Sequence, residues 1–503
     1  MKLINEIKKL IQFLPHTLIQ LMFQKKLTST QNSKFNTQHS TFINQNSKLE
    51  VLMLSSIKIF LAFTTTLLIL FTNLSCHRTP VEPEKTKVNL IYEDALCTEA
   101  FFRLKTTEIN YPARVDLYLN KDKVNSFTTF SDDTVFVIEN LLPKKSYTSY
   151  VRVYPEGGGE LVSSEVSFVT MDTTSHDFTW QVFEFGDLGN SILYDVAIID
   201  ENNIWAVGEI RVYDTLGRGV KYNAVHWDGS KWELKRIPSI ICGLNSIIYS
   251  AIYTIYALNE NNIFFSDGGE IIHYNGQRFK QDCSINPLLT GAINKLWGTS
   301  SNDLYAVGDK GNIAHWDGRR WTKIESGTDL DINDIYGVFD TSKKEANIFC
   351  VASNVLQSPD RKIFKIEGQL IKEIPSNGIY WGLSSIWFTK KLNFVITTGG
   401  GGIYYTKLTN ENIFWKLFSN VPSNYFCDRV RGNNYNDIVV CGSFGELLHF
   451  NGLEWKSYLN KELPFFYGRY RSLDIKRNVV CAVGDFSQGY NSKGIIIIGI
   501  RNQ

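Results

Sequence analysis

The chain has 503 residues, enough for more than one domain, and its 52 basic and 51 acidic residues give a formal net charge of +1. It contains no basic block of the kind that marks a nucleic-acid-binding protein. Aromatic residues make up 13% of the chain, with 24 Tyr and 32 Phe, whereas Met occurs only 4 times. This composition favours strands and tight turns over helices and predicts an all-β protein.

The first predicted element is a targeting segment. Residues 53–76 contain the apolar run "IKIFLAFTTTLLILFTNLS", which includes Lys58 near its start and ends just before Cys76. A charged start, a short apolar core and small residues before the cut are typical of a secretory signal. Residues 1–52 are then a disordered or mis-assigned upstream segment, with translation starting at Met53.

The end of this signal resembles the lipobox of bacterial lipoproteins. Ser75 and Cys76 fit that motif, but the Leu expected three residues before the Cys is Asn73, with Leu74 one place late. The resemblance implies that Cys76 is lipidated and holds an exported protein on the cell envelope, at the outer membrane or the cell surface. The Pro-rich stretch 77–85 would be its tether. A single membrane-spanning anchor is the alternative.

Residues 86–171 alternate apolar and polar side chains in several strand-length runs, as in "RVDLYLN" and "TSYVRVYPE", which predicts a β-sandwich. The run "ENLLPKKSYTSYVRVYPE" resembles the end of a fibronectin type III domain. The residues that carry this resemblance are Leu141, Leu142, Pro143 and Tyr147. The core Trp usual in that family is missing, and we expect Phe101 or Phe102 to fill its space.

A repeat begins beyond Thr170. The motif "HWDG", with the variants "HYNG" and "HFNG", starts at His226, His273, His315 and His449, at separations of 47, 42 and 134 residues. Degenerate copies occupy 362–368 and 402–410. A period in the forties indicates propeller blades of four strands each.

One repeat reads as four complete strands, at 293–300, 303–309, 312–318 and 320–326. Asp317-Gly318 is predicted to be a two-residue turn with positive φ at both positions. Second strands of the type "DLYAVGD" recur seven times, which predicts seven blades.

The last repeat, 469–503, has only three strands, and "FTWQVFEFG" (178–186) matches the missing outer one. We therefore expect a seven-bladed β-propeller over 177–503, closed by this N-terminal strand. The repeat, roughly "WG…DLYAVG…HWDG…W", resembles those of bacterial surface proteins whose propellers are similar to the kelch, Asp-box and tectonin types.

The four motif histidines are spread around such a ring, so they cannot converge on one metal ion. We expect each His to hydrogen-bond between neighbouring strands or blades, and we predict neither a metal nor a cofactor. The cysteines form no CxxC pair; Cys242 and Cys283 flank one repeat, and whether they pair is left open by the sequence.

Two groups of residues are candidates for function. Arg429, Arg431 and Arg471 lie on predicted inner strands, beside Asp428, and either line a wet central channel or converge on a ligand. Three successive connections between blades carry aromatic residues, which either wedge between blades or bind a ligand. These aromatic residues are Tyr380, Trp381, Tyr425, Phe426, Phe465, Phe466 and Tyr467.

No Gly-x-Ser-x-Gly, HExxH or nucleophile–base pair stands out. The favoured reading is a non-enzymatic envelope lipoprotein, with the sandwich as a spacer and the propeller as a platform for a protein or glycan. The alternatives are a secreted glycan-active hydrolase with its site on the propeller axis, and a purely structural envelope component.

Overall fold

The computed structural model describes residues 87–244, 246–354, 360–392, 394–408, 413–489 and 491–502. Regular structure in these residues is strand throughout, apart from one 3-10 turn at Asn286–Leu288, so the all-β prediction is confirmed. None of the described helical residues forms a segment that could span a bilayer. The predicted upstream segment, signal, lipidation residue Cys76 and tether lie outside the described residues.

Residues 88–169 form two antiparallel sheets. In spatial order, one contains Val88–Ala95, Ala100–Thr106 and Asp133–Ile138. The other contains Asp122–Thr129, Ala113–Leu119, Ser146–Pro155 and Leu161–Val162, with Val166–Val169 also paired to Ser146–Pro155. We call this unit the sandwich.

The sandwich is held together by a single apolar core to which both sheets contribute. Phe102, Val115 and Val153 are completely buried in it. The Tyr147 hydroxyl accepts a hydrogen bond from the backbone N–H of Leu142 at 2.9 Å. This bond ties the turn before the strand to the strand itself, as in the tyrosine corner of immunoglobulin-like sandwiches.

In the described residues that follow, seven four-stranded antiparallel sheets are formed, and we number them 1 to 7 in chain order. Each is given from its first strand outward. The strands are, in sheet 1, Ile192–Asp200, Asn203–Tyr213, Gly219–Trp227 and Trp232–Lys235; in sheet 2, Thr254–Asn259, Asn262–Ser266, Ile271–Tyr274 and Phe279–Asp282; in sheet 3, Ile293–Ser300, Asp303–Gly308, Ile313–Trp316 and Trp321–Lys323; in sheet 4, Ile332–Asp340, Glu345–Ser353, Arg361–Glu367 and Leu370–Ile374; in sheet 5, Leu383–Phe388, Val395–Gly399, Gly402–Thr406 and Lys416–Leu417; in sheet 6, Cys427–Asn434, Asp437–Gly442, Leu447–Phe450 and Trp455–Ser457; and in sheet 7, Gly468–Lys476, Val479–Gln488, Asn491–Arg501 and Phe178–Phe185.

The seven sheets form a ring. The first strand of each sheet contacts the first strand of the next, and that of sheet 7 contacts that of sheet 1. Buried apolar side chains fill the space between neighbouring sheets. First strands arranged around a common axis, with the later strands further out, are the architecture of a β-propeller.

Sheet 7 joins the two ends of the ring. Phe178–Phe185, which the chain reaches before sheet 1, pairs antiparallel with the last strand, Asn491–Arg501. The pairing is close, because a Cβ on Gly499 would lie 2.2 Å from the ring of Trp180. The strand lies where the sequence predicts the borrowed outer strand.

The repeated histidines have a structural role within their sheets. Each lies on a third strand, and three of them hydrogen-bond through Nε2 to the first residue of the second strand. These pairs are His226 with Asn203 at 3.0 Å, His315 with Asp303 at 2.7 Å and His449 with Asp437 at 3.0 Å. The imidazoles of His226, His273 and His315 also pack on Trp205, Phe264 and Tyr305. The repeated motif therefore links the second and third strands of a sheet through its His side chain.

The predicted two-residue turn at Asp317-Gly318 is wrong. Trp316 pairs with Trp321, so the loop contains four residues, and only Gly318 has positive φ, at 87°. Asp317 instead accepts the backbone N–H groups of the next residues with its carboxylate, as an Asx turn does. The same four-residue loop follows the other three histidine motifs.

The sandwich packs directly against the ring. Leu96, Cys97 and Phe101 are buried in one apolar cluster with side chains of sheets 5 and 6, including Trp387 and Tyr435. Two ion pairs frame this contact, Lys391 with Asp94 at 2.9 Å and Lys407 with Glu99 at 2.7 Å. The sandwich is therefore not a detached spacer. Of the two candidate core residues, Phe102 fills the sandwich core, whereas Phe101 faces the ring.

Candidate binding face

One face of the ring carries most of the exposed aromatic residues. In an antiparallel four-stranded sheet, the start of the first strand, the hairpin between the second and third strands, and the end of the fourth strand share one edge. We call the corresponding side of the ring the entry face. The long connections from one sheet to the next lie there.

Five of the seven aromatic candidates are exposed on the entry face over sheets 5 to 7. Tyr380 and Tyr467 are the most open, with 72% and 70% of their surface exposed, and Trp381, Tyr425 and Phe465 are also exposed. We call these five residues the aromatic strip. Large aromatic side chains that remain this accessible are candidates for contact with a partner, because they offer a large contact area at low entropic cost.

Phe444 links the members of the strip in sheets 6 and 7. Its ring centroid lies 5.0 Å from that of Tyr425 and 5.6 Å from that of Phe465, and Phe465 meets Tyr467 edge-on at 5.4 Å. The sequence reasoning missed Phe444. Aligning the repeats could have found it, because Phe444 and Lys310 occupy equivalent turn positions with positive φ before a glycine.

The glycines in the hairpin between the second and third strands of sheet 5 make room for the other end of the strip. A Cβ on Gly401 would lie 2.4 Å from Trp381, so a larger residue would displace that ring. The two remaining aromatic candidates, Phe426 and Phe466, are half-buried and pack against the fold. Phe426 is half-buried beside Gly400, and Phe466 packs on Tyr470 at 5.2 Å. These two rings act as wedges.

The axis beneath the entry face is filled by charged side chains. Asp195 of sheet 1 is 2.6 Å from Nζ of Lys295 and accepts hydrogen bonds from the hydroxyls of Thr254 and Ser472 and from the N–H of Ile255. Burial alone would raise the pKa of Asp195, but Lys295 and a neighbouring arginine outweigh it and hold that pKa below its ordinary value. The carboxylate is therefore ionised and fully satisfied.

Asp334 of sheet 4 neutralises two of the three candidate arginines. Its carboxylate lies 2.6 Å from Arg429 and 2.8 Å from Arg431, and it accepts hydrogen bonds from the hydroxyl of Ser385 and the N–H of Ile386. Burial opposes ionisation, but the two guanidinium groups lower the pKa of Asp334 well below its ordinary value. All three charged groups are nearly inaccessible to solvent.

The third arginine belongs to a different group nearer the entry face. Arg471 donates from Nε to Asp485 at 2.5 Å, and Arg469 lies 3.2 Å from Oδ1 of Asp428. Oδ2 of Asp428 is buried without a hydrogen-bond partner. Burial raises the pKa of Asp428 to about 7, although Arg469 and Arg471 act against this shift. The arginine trio therefore does not converge on one pocket.

The position of Asp428 follows from a β-bulge that recurs around the ring. In six of the sheets, one residue near the start of the first strand has no pairing partner on the second strand and is skipped by the register. In sheet 6 this skipped residue is Asp428. In sheets 3, 4 and 5 the skipped residue donates a hydrogen bond to a first-strand carbonyl of the next sheet. These donors are Asn294 to Ile332, Asn333 to Leu383 and Ser384 to Cys427. An ionised Asp428 has no proton to donate.

The opposite end of the axis holds a cavity of about 300 Å³, lined by Tyr256, Trp297, Tyr336, Arg431 and Asp474 among others. Among the described residues, no group of three or more His, Cys, Asp or Glu could hold a metal ion.

Cys242 and Cys283, whose pairing the sequence left open, form a disulfide, and the five other described cysteines are free and buried.

No protein-family model and no curated protein matches the chain. Solved structures that resemble it include YCF48 bound to D1 peptide (TM-score 0.47, 14% identity, 66% of this chain and 98% of that one). The C-terminal WD40 domain of Sif2 has a TM-score of 0.39 and 12% identity and covers 63% of this chain and 97% of that one. The Dos1 propeller has a TM-score of 0.41 and 9% identity and covers 64% and 95%. Likenesses at these levels assign no function to the chain.

Proposed function

We propose that the chain is a non-enzymatic, exported envelope protein that binds a partner protein through its aromatic strip. In this proposal a fibronectin type III-like sandwich is fixed to a seven-bladed propeller, with each four-stranded sheet counted as one blade. The observation that carries the proposal is the strip itself, five exposed aromatic residues gathered on one face of a rigid ring.

The rigidity of the supporting ring favours a binding role. Trp381, Tyr425 and Tyr467 each lie one or two residues before a first strand that packs against the first strands of both neighbouring sheets. Side chains held on such elements lose little conformational freedom when a partner binds. Tyrosine and tryptophan are also the residues that contribute most often to the energetic centres of protein interfaces.

A protein partner fits the strip better than a glycan. Sugars stack on free ring faces, but Phe444 and Phe465 stack on each other and Tyr467 meets Phe465 edge-on. Among the described residues of the strip, Tyr380 and Trp381 make no ring–ring contact, whereas Tyr425, Phe465 and Tyr467 do. An apolar side chain of a protein can insert between such rings without needing a free planar face.

The alternative, a glycan-active hydrolase on the axis, has little support from the geometry. Such a site needs accessible carboxyl groups on either side of a sugar. The carboxylates of Asp195 and Asp334 on the axis are fully engaged in hydrogen bonds with cationic side chains and hydroxyl groups, and both are buried from solvent. Arg429 and Arg431 are bound to Asp334 and are not free to hold a substrate anion.

The test uses the chain from His77 onward, immobilised and exposed to solubilised envelope extract, with every captured protein then purified and its affinity measured directly. One variant carries Trp381→Ala and Tyr467→Ala, and a matched control carries Phe130→Ala and Phe339→Ala, two exposed rings elsewhere. The proposal requires an affinity at least about tenfold weaker for the strip variant and unchanged for the control. Equal affinities, or binding only to a glycan array, would exclude it.

The envelope location rests on Cys76 and on the disulfide. Disulfides persist in oxidising compartments outside the cytoplasm, and Cys242–Cys283 is such a bond. Labelling cells with a fatty-acid analogue should mark the wild-type chain and leave a Cys76→Ser variant unmarked. Labelling of both chains would show that Cys76 is not the acceptor.

A further inference from the structure

The connection between sheets 1 and 2 differs from the others in length and chemistry. It contains 18 residues, 236–253, against six to ten in the other six connections from one sheet to the next. Residues 237–253, "IPSIICGLNSIIYSAIY", include no charged side chain. A stretch of this length without charge is uncommon on the surface of a protein, where charged residues dominate.

This connection forms a small hairpin of its own on the entry face. Ser239–Ile240 pairs with Ile247–Ile248, outside the seven sheets, and we call the described residues 239–244 and 246–248 the apolar hairpin. Two links hold it against sheet 2. Cys242 is disulfide-bonded to Cys283, and Gln281 accepts a hydrogen bond from the N–H of Ile240 at 2.6 Å.

The side chains at its tip are aliphatic and exposed. Ile240, Ile241, Leu244 and Ile247 all stand in solvent, and Ile247 is the most open at 62%. At the base, Arg236 stacks on Tyr249 at 3.8 Å, and Tyr253 packs on Tyr194 at 4.9 Å. Aliphatic side chains therefore form the tip, and tyrosines with a cation form the base.

This order of side chains matches the layers of a bilayer surface. Isoleucine and leucine partition into hydrocarbon, tyrosine is enriched at the level of the headgroups, and arginine pairs with lipid phosphate. Protein interfaces favour tyrosine, tryptophan and arginine at their centres, with leucine under-represented. The hairpin thus differs from the aromatic strip on the other side of the axis.

We propose that the apolar hairpin inserts into the surface of a lipid bilayer and holds the entry face of sheets 1 and 2 against it. The disulfide keeps the aliphatic side chains exposed by fixing the hairpin to sheet 2, so that it does not fold back on the ring. This role is independent of the proposed partner of the aromatic strip and of lipidation at Cys76.

The test measures flotation of the chain from His77 onward with vesicles of phosphatidylethanolamine and phosphatidylglycerol. The compact unit Thr86–Gln503 is retained whole, and the chain lacks the apolar run before Cys76, which would bind lipid by itself. The test variant carries Leu244→Asp and Ile247→Asp. The control carries Leu370→Asp and Leu453→Asp, two comparably exposed leucines on hairpins of the opposite face.

We expect the wild type and the control to float with the vesicles and the hairpin variant to partition at least about tenfold more weakly. All four replaced side chains are exposed, so each variant should fold, which its thermal unfolding curve verifies. Failure of the wild type to float, or equal flotation of the hairpin variant, would overturn the proposal. Loss of partner binding by the aromatic-strip variant would leave this result unchanged.

Discussion

His176 Nδ1 lies 2.7 Å from His449 Nδ1, and the two rings meet edge to face where the linker after the sandwich crosses sheet 6. Nε2 of His449 donates to Asp437, which can only accept, so Nδ1 of His449 is the acceptor and His176 is the donor. Arg501, at the end of the last strand, Asn491–Arg501, binds the same Asp437. The pair thus joins the linker, sheet 6 and the closure of the ring.

The His176–His449 contact should make the fold sensitive to acid. Burial and the neighbouring His449 lower the pKa of His176 to about 4, and burial lowers the pKa of His449 even though Asp437 opposes this. The unfolded chain therefore binds these protons more tightly than the folded chain. The stabilisation is complete above pH ~6.5 and is lost as the pH falls towards 4, at a cost on the order of 2 kcal/mol.

A His176→Ala variant tests this acid sensitivity. Its free energy of unfolding, measured in urea from pH 7.5 to pH ~4, should fall less steeply with acid than that of the wild type. The control is His315→Ala, which also loses a histidine hydrogen bond, to Asp303, but has no second histidine opposite. If the His176→Ala and wild-type pH profiles are parallel, the pair does not cause the acid sensitivity.

Asp428 should have the opposite effect on stability in the same pH range. Burial raises its pKa to about 7, above the ordinary value of 3.8, so the folded chain binds this proton more tightly than the unfolded chain. The contribution of Asp428 is present below pH ~4 and is lost as the pH rises through 7. At neutral pH the ionised carboxylate has a buried oxygen without a partner.

Asp428→Asn should therefore stabilise the protein at pH ~7.5, by about 1–3 kcal/mol, and have little effect at pH ~4. An amide can donate a hydrogen bond as Asn294 and Asn333 do at the equivalent positions. Asp485→Asn is the control, because it removes a carboxylate from the same group but not the unpartnered one. A destabilised Asp428→Asn variant at pH ~7.5 would show that the carboxylate is needed in its charged form.

The repeat could be recognised from the sequence because its residues contact others that are close to them in the chain. The His of each motif contacts an Asn or Asp, an aromatic residue, or both, only a few positions into the preceding strand, so spacing alone defines the unit. The role of Asp428 was not readable in this way. A β-bulge decides which residue of the first strand is skipped, and a pattern of alternating apolar residues does not show where the bulge lies.

The contact between the sandwich and the ring could also not be predicted from the sequence. Phe101 and Phe102 are adjacent and equally apolar, and either could have filled the sandwich core. Their strand is apolar on both faces because it lies between the sandwich core and sheets 5 and 6. Strand periodicity detects a buried face but does not identify the partner that covers it.

The buried charges on the axis should be costly to break. Asp334→Asn removes the anion that Arg429 and Arg431 share and leaves two buried cations without compensation. We expect a loss of about 3–5 kcal/mol in the free energy of unfolding. Glu325→Gln, which breaks an exposed pair with Lys323, should cost less than about 0.5 kcal/mol. Comparable losses for the two variants in urea titrations would mean that the axial charges contribute no more than surface pairs.

Replacing Phe101 should uncouple the sandwich from the ring. Phe101→Ala removes the ring that packs into the apolar cluster of sheets 5 and 6, at a cost of about 3–5 kcal/mol, while the sandwich core around Phe102 stays complete. Calorimetry should then resolve two unfolding transitions where the wild type shows one. At temperatures below both transitions, small-angle scattering should show a larger radius of gyration than that of the wild type. Phe102→Ala, the control, should lower the melting temperature of the sandwich without changing the scattering of the folded state. An unchanged single transition in Phe101→Ala would show that the two units do not depend on this contact.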